Sequence, residues 1–522
     1  MKLGRSLTLL LLAMLCGAPA VAADRLLRIA APSEPETLDP ARSTGLYEGK
    51  IEADLFEGLL SRDAAGVPIP GAASSWDISA DGLTYTFHLR PDLKYSNGEP
   101  VVAADFVYGM RRLIDPATGS QNGLILAAVD QAAEIESGKV TDLTRLGAVA
   151  PDDRTVVVTL WRRSLRLLDY AIGYYPLRKA DIDRYGNDWT RPGNLVGNGA
   201  FVLVDWVPQS HVELRRNPFF RDAASVKLDR VRYVVTGSPE TSLKMFRAGE
   251  LDIAELPRNE IEWAKLHLAE ALRAEPQIGV YMIGLNIGAP PLDNPKLRRA
   301  LALVVDQDAI TSKIVRGDQV PAYGFIAPLL PGYPAVVESF RAQPMAERIA
   351  EARKLFAEAG YGADKKLHLS VMVAKGREWD RWALAVIGMW HDALGVEAEL
   401  DVQEWQVYLG RLNHHDFTAA VDDWVSLIQA PALLDEYRST SASNEVQYRS
   451  AAFDRYLTEA DAAPDLAAEY AAYAKAEQLL IDDQPIIPVY HAVTHLLVAP
   501  RVRGWVANPA DSHRARYLSL AP

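Results

Sequence analysis

Residues 367–402 follow the order of a strand, a helix and a second strand, which restricts this part of the chain to the α/β classes. In LHLSVMV apolar and polar residues alternate, as they do in a half-buried β-strand. WDRWALAVIGMWHDALG then places its large apolar residues on one helical face and ends at Gly395, a common helix stop. VEAELDV alternates again, and FTAAVDDW at 417–424 repeats the strand pattern after a second helix from about 403. This order predicts a parallel sheet covered by helices.

The length of 522 residues is too great for a single hydrophobic core, because single cores stop growing at roughly 250–300 residues. Two or three domains are therefore expected. Alternating patterns typical of strands, with few helices between them, also occur at residues 81–90, 155–160, 201–216 and 229–236. They indicate a mixed, strand-rich domain beside the regular α/β domain.

Residues 1–23 are typical of a secretory signal peptide. Two basic residues precede an apolar stretch that ends at Cys16, and small residues suited to cleavage stand at Ala22 and Ala23. Cleavage there would remove the only cysteine of the chain. A lipoprotein modified at Cys16 is disfavoured, because Leu15 stands where lipoprotein signals favour a small residue.

The sequence contains none of the motifs that mark common catalytic sites. It has no P-loop pattern, no Gly-x-Ser-x-Gly and no His-Glu-x-x-His, and the GNG at 197–199 lacks the third glycine of a dinucleotide fingerprint. His414, His415 and Asp416 are adjacent, whereas zinc ligands are normally two or more residues apart. The net charge of −13 at pH 7 disfavours nucleic acid as a partner. We therefore predict no catalytic residue, no cofactor and no metal ion.

A series of fixed positions in residues 76–116 resembles the signature of a known family. WDISADGLTYTFHLRPDLKYSNGEPVVAADFVYGMRRLIDP contains its tryptophan, Ser-x-Asp-Gly, alternating strand, Ser-Asn-Gly, Pro-Val-x-Ala and Asp-Phe-Val-Tyr, and Tyr95 replaces a more usual tryptophan. Further matching segments include SEPETLDP at 33–40, GNGAFVLVDW at 197–206 and AEQLLIDDQPIIPVYH at 476–491. Over nearly all of the chain after the signal, the sequence is similar to the oligopeptide- and dipeptide-binding solute-binding proteins of ABC importers, bacterial family 5.

This resemblance implies an α/β, two-lobed periplasmic-binding-protein fold of type II with an extra inserted strand-rich domain. The implied bounds are 24–56, 180–278 and 492–522 for lobe I, 57–179 for the inserted domain, and 279–491 for lobe II. The resemblance further implies a monomer in the periplasm that captures peptides by hinge closure. It would deliver them to an inner-membrane ABC permease with its ATPase subunits. A modified peptide or a non-peptide solute, such as a sugar oligomer or a metal chelate, is an alternative ligand.

Asp422 and Asp423 stand side by side in AAVDDW and are the remaining candidates for an enzyme. Alternation along a strand sends neighbouring side chains to opposite faces. A pair of catalytic carboxylates needs both groups in one cavity at roughly 5–10 Å, so these two do not form such a pair by themselves. A secreted hydrolase with a partner residue elsewhere is the remote alternative.

The resemblance implies a ligand site at the carboxyl end of this strand, where ligands collect in α/β folds. Peptide-binding members have an aspartate for the α-ammonium group of the peptide three residues after a tryptophan that matches Trp424, and here that position is Leu427. The positions of other charged anchors align with Val421, Val315 and Trp379. The pocket has therefore lost charge and gained apolar surface.

The remaining ligand-binding candidates also follow from the resemblance. Trp405 and Trp424 match tryptophans that line the cleft, and the segment Thr44-Gly45-Leu46 matches one that pairs with the peptide backbone, a sequence-tolerant mode of binding. Either Asp422 or Asp423 could replace the missing anchor, and the sequence favours Asp423. Trp382 and Trp390, on the helical stripe, are expected to pack in the core.

Overall fold

The structure is a computed structural model, and it describes residues 25–377, 379–425, 430–441, 443–509 and 511–521. The predicted signal peptide with Cys16, and the ligand-binding candidate Leu427, lie outside these described residues. Among the helices of the described residues, none combines the length and the apolar character that crossing a bilayer requires.

The described residues form strands and α-helices throughout the chain. The strands are β1 (Leu26–Ala31), β2 (Leu60–Arg62), β3 (Pro68–Pro70), β4 (Ala73–Ile78), β5 (Thr84–Leu89), β6 (Ala148–Asp152), β7 (Thr155–Thr159), β8 (Phe201–Val207), β9 (His211–Arg216), β10 (Arg230–Val235), β11 (Ile253–Glu255), β12 (Leu272–Leu285), β13 (Val320–Pro321), β14 (His368–Ala374), β15 (Glu397–Gln403), β16 (Ala419–Val425), β17 (Ile486–Val498), β18 (Val502–Arg503) and β19 (Ser519–Leu520). The α-helices are α1 (Leu46–Leu55), α2 (Ala103–Ile114), α3 (Ala132–Glu136), α4 (Leu167–Tyr170), α5 (Lys179–Tyr185), α6 (Pro239–Arg247), α7 (Ile261–His267), α8 (Pro295–Leu303), α9 (Gln307–Ala309), α10 (Met345–Glu358), α11 (Asp380–Leu394), α12 (Trp405–Asn413), α13 (Ala451–Asp461) and α14 (Leu466–Asp483).

The α/β unit predicted from residues 367–402 is confirmed. β14 pairs in parallel with both β15 and β16, and α11 connects β14 to β15. The helix ends at Gly395, whose φ of 71° lies in the left-handed region that glycine adopts without strain. Trp382 and Trp390 are 2% and 0% exposed, so both pack in the core, as expected.

Two long antiparallel strands, β12 and β17, join the two halves of the main sheet. The strand order is β15-β14-β16-β12-β17-β11-β1-β10-β9-β8, with β13 paired to β17. The α/β unit lies at one end of this order, and the first strand of the described chain lies near the other. This arrangement is the predicted two-lobed α/β fold, in which β12 and β17 run from one lobe into the other.

The ladder between β12 and β17 is interrupted where the two halves meet. Pro276 pairs with Val493 and Val280 pairs with His491, so three residues of β12 stand opposite one residue of β17. Such an irregularity bends a strand and loosens its pairing. A second shift in register follows between Tyr281 and Met282, so the pairing of the two strands that join the lobes is irregular at two nearby places.

A separate four-stranded antiparallel sheet, in the order β4-β5-β7-β6, has its own hydrophobic core. Helix α2 contributes Phe106 and Met110 to that core, and both are fully buried. All of these elements fall within residues 57–179, the range assigned by sequence to the inserted domain. The exact domain boundaries stay a prediction.

Candidate ligand-binding cleft

The two neighbouring aspartates lie near the end of β16, between β14 and β12. Asp422 pairs with Met282 and Asp423 pairs with Tyr281, each in register across the antiparallel ladder. The Asp422 carboxyl lines a cavity together with Met282 and Trp424, whereas the Asp423 carboxyl lies beside Tyr281 and Arg377 on the other face. The predicted alternation is confirmed, and the two groups do not share a cavity.

The Asp423 face of β16 already contains cations. An Arg377 guanidinium nitrogen lies 3.9 Å from Asp423 Oδ1, and the Arg377 guanidinium also lies 4.0 Å from the centre of the Trp405 ring. Arg258, from the other half of the sheet, lies beside the hydroxyl groups of Tyr281 and Tyr490 and also acts on Asp423. Burial raises the pKa of Asp423, and Arg377 and Arg258 offset part of that rise.

The Asp422 face has the opposite electrostatic character. Glu436, Glu445, Trp424 and Tyr437 line the cavity beside Asp422, which has room for about one water-sized group. Burial, followed by the nearby Glu445 carboxyl, raises the pKa of Asp422 well above its usual value. Burial also raises the pKa of Glu436 to about 7 and that of Glu445 to about 7. Within the described part of the chain, none of these three carboxyl groups forms an ion pair.

The predicted lobe I contacts lie at the start of α1. Thr44, Gly45 and Leu46 are exposed, and 48% of the Leu46 surface is accessible. A Cβ atom at position 45 would collide with the Glu48 carboxylate, which explains the glycine there. The three residues line a pocket of about 460 Å³, whose opposite wall is the segment 511–514. A side chain of a ligand would have room there.

A larger groove of about 850 Å³ separates the strand-rich domain from helices α13 and α14. Two ion pairs cross it. Arg162 Nη1 lies 2.9 Å from Asp461 Oδ1, and Arg166 Nη2 lies 3.5 Å from Glu469 Oε1. Glu436 lines both this groove and the cavity beside Asp422, so the two spaces adjoin.

The other predicted ligand-binding residues differ in accessibility. Trp424 and Trp405 are half-buried, and Trp405 stacks on Tyr408 with ring centres 5.6 Å apart. Trp379 is only 3% exposed and directs its ring against Tyr408, with centres 5.8 Å apart. Val421 is fully buried in the adjoining core. The chain beyond β16, which contains Leu427, is outside the described residues.

A polar cluster that the sequence did not reveal lies beneath the lobe I pocket. His513 Nε2 is 3.1 Å from Glu275 Oε2 and 3.4 Å from Asp511 Oδ1, while Trp505 Nε1 donates to Glu275 Oε1 at 2.6 Å. Burial lowers the pKa of His513, but the bonds to Asp511 and Glu275 outweigh it and raise the pKa above the usual value. Lys50 Nζ lies 2.8 Å from Asp511 Oδ2. Because about 240 residues separate the cluster's two chain segments, no local pattern could have predicted it.

Comparisons with known proteins identify the family and the fold of the chain. The sequence profile of the bacterial extracellular solute-binding proteins, family 5 Middle, matches residues 67–445. The periplasmic oligopeptide-binding protein OppA of Escherichia coli K12 is 35% identical over 500 residues, which are 94% of this chain and 91% of that protein. The probable deoxycholate-binding periplasmic protein YgiS of the same organism is 34% identical over 488 residues, 92% of this chain and 90% of that protein. The unliganded open form of the murein tripeptide-binding protein MppA of E. coli superposes with a TM-score of 0.85 at 31% identity, covering 96% of this chain and 98% of that structure.

Proposed function

The chain belongs to family 5 of the bacterial extracellular solute-binding proteins, and from this premise we propose that it captures short peptides in the periplasm for an ABC importer. The name of the E. coli relative OppA, an oligopeptide-binding protein, supports peptide as the ligand class. The open pocket beside the exposed backbone at the start of α1 supports it too, because that pocket has room for part of a peptide.

The single observation that carries this proposal is the cavity beside Asp422, which is lined by three carboxyl groups and, among the described residues, by no cation. Asp422 Oδ1 accepts the Asp423 backbone N–H at 2.8 Å, but no cation in the described lining offsets the cost of ionising the buried carboxyl groups. An ammonium group would offset that cost by ionic hydrogen bonds. Trp424 and Tyr437 line the same cavity, and aromatic rings also attract cations. Asp422 thus replaces the anchor that is missing at Leu427. Asp423 is the weaker candidate, because Arg377 already lies beside it.

Ligand contacts from both lobes favour closure of the hinge. We assign Thr44, Gly45 and Leu46 to the lobe I contacts and Trp405 and Trp424 to the lobe II contacts, with Trp379 contributing at most an edge of its buried ring. The irregular pairing of β12 with β17 at residues 277–279 supports a hinge at this place. Small-angle scattering with and without ligand tests the closure, since the radius of gyration should fall on binding and an unchanged radius would count against it.

A non-peptide solute with a carboxylate is the second candidate. It is favoured by the apolar residues Val315 and Leu427, where charged anchors align in the sequence, and by the 34% identical relative YgiS, named as probably deoxycholate-binding. Both candidates keep the same role in transport. The relatives are binding proteins of transporters, and we propose no catalytic role for Asp422 or Asp423.

A thermal-shift screen tests the ligand class, because a ligand of the native state raises the melting temperature by mass action. The mature protein would be screened with di- to pentapeptides, N-acetylated peptides, sugars and deoxycholate. Stabilisation by peptides with a free amino group supports the proposal. Stabilisation by deoxycholate alone would replace it with the second candidate, and native mass spectrometry of the protein as isolated would identify a retained ligand.

The proposal includes export, a monomeric state and delivery to an inner-membrane permease with ATPase subunits. The apolar stretch before Ala22 and the periplasmic relatives support cleavage of residues 1–23 rather than lipidation at Cys16. N-terminal sequencing of protein from a periplasmic extract checks this. A mature chain that begins at Ala23 or Asp24 is expected, and a lipid-modified Cys16 would contradict it. Sedimentation analysis of the same material checks the monomer.

A further inference from the structure

We propose that the pocket between α1 and the C-terminal segment binds a carboxylate group of the ligand. The inference rests on the proposed function and deepens it, because it names a chemical group and the wall of the cleft that receives it. The pocket has a volume of about 460 Å³, which lies in the range of small-molecule sites. Its walls are Thr44, Gly45, Leu46, Gly49, Lys50, Ala53, Arg62 and the segment Asp511–Arg514.

The lining of this pocket is cationic in a protein that is acidic overall. Lys50, Arg62 and Arg514 carry positive charges, and Asp511 is the one carboxylate among the lining residues. The whole chain has a net charge of −13. A concave, partly dry site of one sign concentrates ligands of the other sign. An anionic group is therefore the favoured occupant.

The charged groups of the pocket are held in place. Lys50 Nζ lies 2.8 Å from Asp511 Oδ2, and Arg62 Nη2 lies 3.3 Å from Asp169 Oδ1. Arg514 is 7% exposed, and its Nη1 donates to Ser61 Oγ at 2.9 Å. Its Nε has no hydrogen-bond acceptor among the described residues. That nitrogen is itself buried, so Arg514 contributes its positive charge to the pocket rather than this donor.

Two of the carboxylates that stand behind the lining, Glu275 and Asp54, are engaged elsewhere. Glu275 accepts from Trp505 and contacts His513. Asp54 accepts from the hydroxyl of Tyr233 at 2.9 Å and from the backbone N–H of Ala515 at 3.1 Å. These bonds tie both groups to the scaffold. Lys50 is the most accessible of the cations, with 27% of its side chain exposed, and is the one a ligand reaches first.

The two lobes therefore offer sites of opposite charge. Lobe II has the acidic cavity of Asp422, Glu436 and Glu445, and lobe I has the cationic pocket around Lys50. The proposed complex places the ammonium group of a zwitterionic ligand in lobe II and a carboxylate in lobe I. The carboxylate has two possible sources in a peptide, the C-terminus and an acidic side chain.

Calorimetric titration of three peptides distinguishes these sources: tri-alanine, its C-terminal amide, and an amidated tripeptide with one glutamate. The wild-type protein should bind tri-alanine about tenfold more tightly than its amide, the factor expected from one hydrogen bond to a charged group. Recovery of affinity by the glutamate peptide would assign the site to a side-chain carboxylate.

Lys50→Met should abolish the preference for tri-alanine over its amide. Lys296→Met, which removes a similar 2.7 Å pair with Glu358 on the surface of lobe II, should keep that preference.

A second pair of variants tests the pocket without removing any contact. A Cβ atom at Gly49 would meet no atom of the described residues within 4 Å, so the position accepts a side chain, and Asp and Asn have nearly the same size. The ratio of the affinity for tri-alanine to the affinity for its C-terminal amide should be lower in Gly49→Asp than in Gly49→Asn. Only the aspartate repels the carboxylate of tri-alanine. Equal binding of acid and amide by the wild type, or equal losses for both in Lys50→Met, would overturn the inference and leave peptide binding intact. Failure of every peptide to bind would overturn the proposed function, and this inference with it.

Discussion

The two faces of β16 differ in what surrounds a carboxyl group, although Asp422 and Asp423 are adjacent. On one face, Asp423 lies near two arginines and two tyrosines from both halves of the sheet. On the other, Asp422 lies near two glutamates, with a small cavity between them. The first arrangement offsets the charge of a carboxylate with nearby cations, whereas the second favours protonated carboxyl groups until a cation enters.

The surroundings of these two aspartates, and not their residue type, therefore decide which carboxyl group is available to a ligand. A group that is already paired gains little from a new cation, since the new partner must replace an existing one. A group crowded by like charges gains much, because the ligand relieves repulsion as well as forming a bond. We therefore assign the ligand's ammonium group to Asp422, which is crowded by like charges.

Asp422→Asn should cause the largest loss of affinity for tri-alanine. It removes the charge but keeps the shape, so binding of tri-alanine should weaken by roughly ten- to a hundredfold, as expected for loss of a hydrogen bond between charged groups. The unliganded variant should melt at a higher temperature than the wild type at pH 8, because repulsion with Glu436 and Glu445 is reduced. Calorimetric titration and thermal melting measure the two effects. Weaker binding with lower stability would indicate a damaged fold instead.

Trp424→Leu should have the next largest effect on ligand binding. Trp424 lines the cavity with Asp422, and an aromatic ring beside a desolvated cation contributes about 1–2 kcal/mol. Trp405→Leu is the matched control, because the Trp405 ring lies against Arg377. It should weaken tri-alanine binding less than Trp424→Leu does. The opposite order would place the ammonium group on the Asp423 face.

The pH dependence should also separate the two faces. The raised pKa values of Glu436 and Glu445, about 7 each, and of Asp422 mean that protonation stabilises the unliganded fold. This stability is fully present below the unfolded-state pKa values of about 4 and is lost as the pH rises through about 7. The melting temperature should therefore fall between pH 5.5 and 8 more in the wild type than in Asp422→Asn. Tri-alanine affinity should rise from pH 6 to 7.5, and parallel melting curves for both proteins would contradict this account.

Substitutions on the Asp423 face should have the smallest effect. Arg377 is 42% exposed, and ion pairs at such positions contribute about 0–1 kcal/mol. Asp423→Asn and Arg377→Met should each change tri-alanine affinity less than threefold by calorimetric titration. A loss of tri-alanine affinity as large as that caused by Asp422→Asn would show that both faces of β16 contribute equally to ligand binding.

Local patterns in the sequence predicted the helices and strands whose apolar residues recur at a regular spacing. Alternation and a helical stripe located β14, α11 and β15, and the same alternation placed Asp422 and Asp423 on opposite faces. The sequence could not show that Arg377 would meet Asp423, or that Glu436 and Glu445 would meet Asp422. Those contacts depend on loops and on strands that are distant along the chain. For this reason the sequence favours Asp423 as the anchor for the ligand's ammonium group, whereas we propose Asp422 from the surroundings of the two carboxyl groups.

The cluster of Glu275, Asp511 and His513 illustrates the same limit. It joins the strand between the lobes to the C-terminal segment. Each residue is ordinary in its own local sequence, and only the long strand β12 brings Glu275 beneath the pocket. Electrostatic partners across such distances follow from topology, which a single sequence determines only through resemblance.

A crystal structure of the protein with tri-alanine would give the position of the ligand's α-ammonium nitrogen. Our account predicts that this nitrogen lies within about 2.7–3.2 Å of an Asp422 oxygen, in the cavity shared with Trp424. An α-ammonium nitrogen bonded to Asp423, with the Asp422 cavity unchanged, would contradict it.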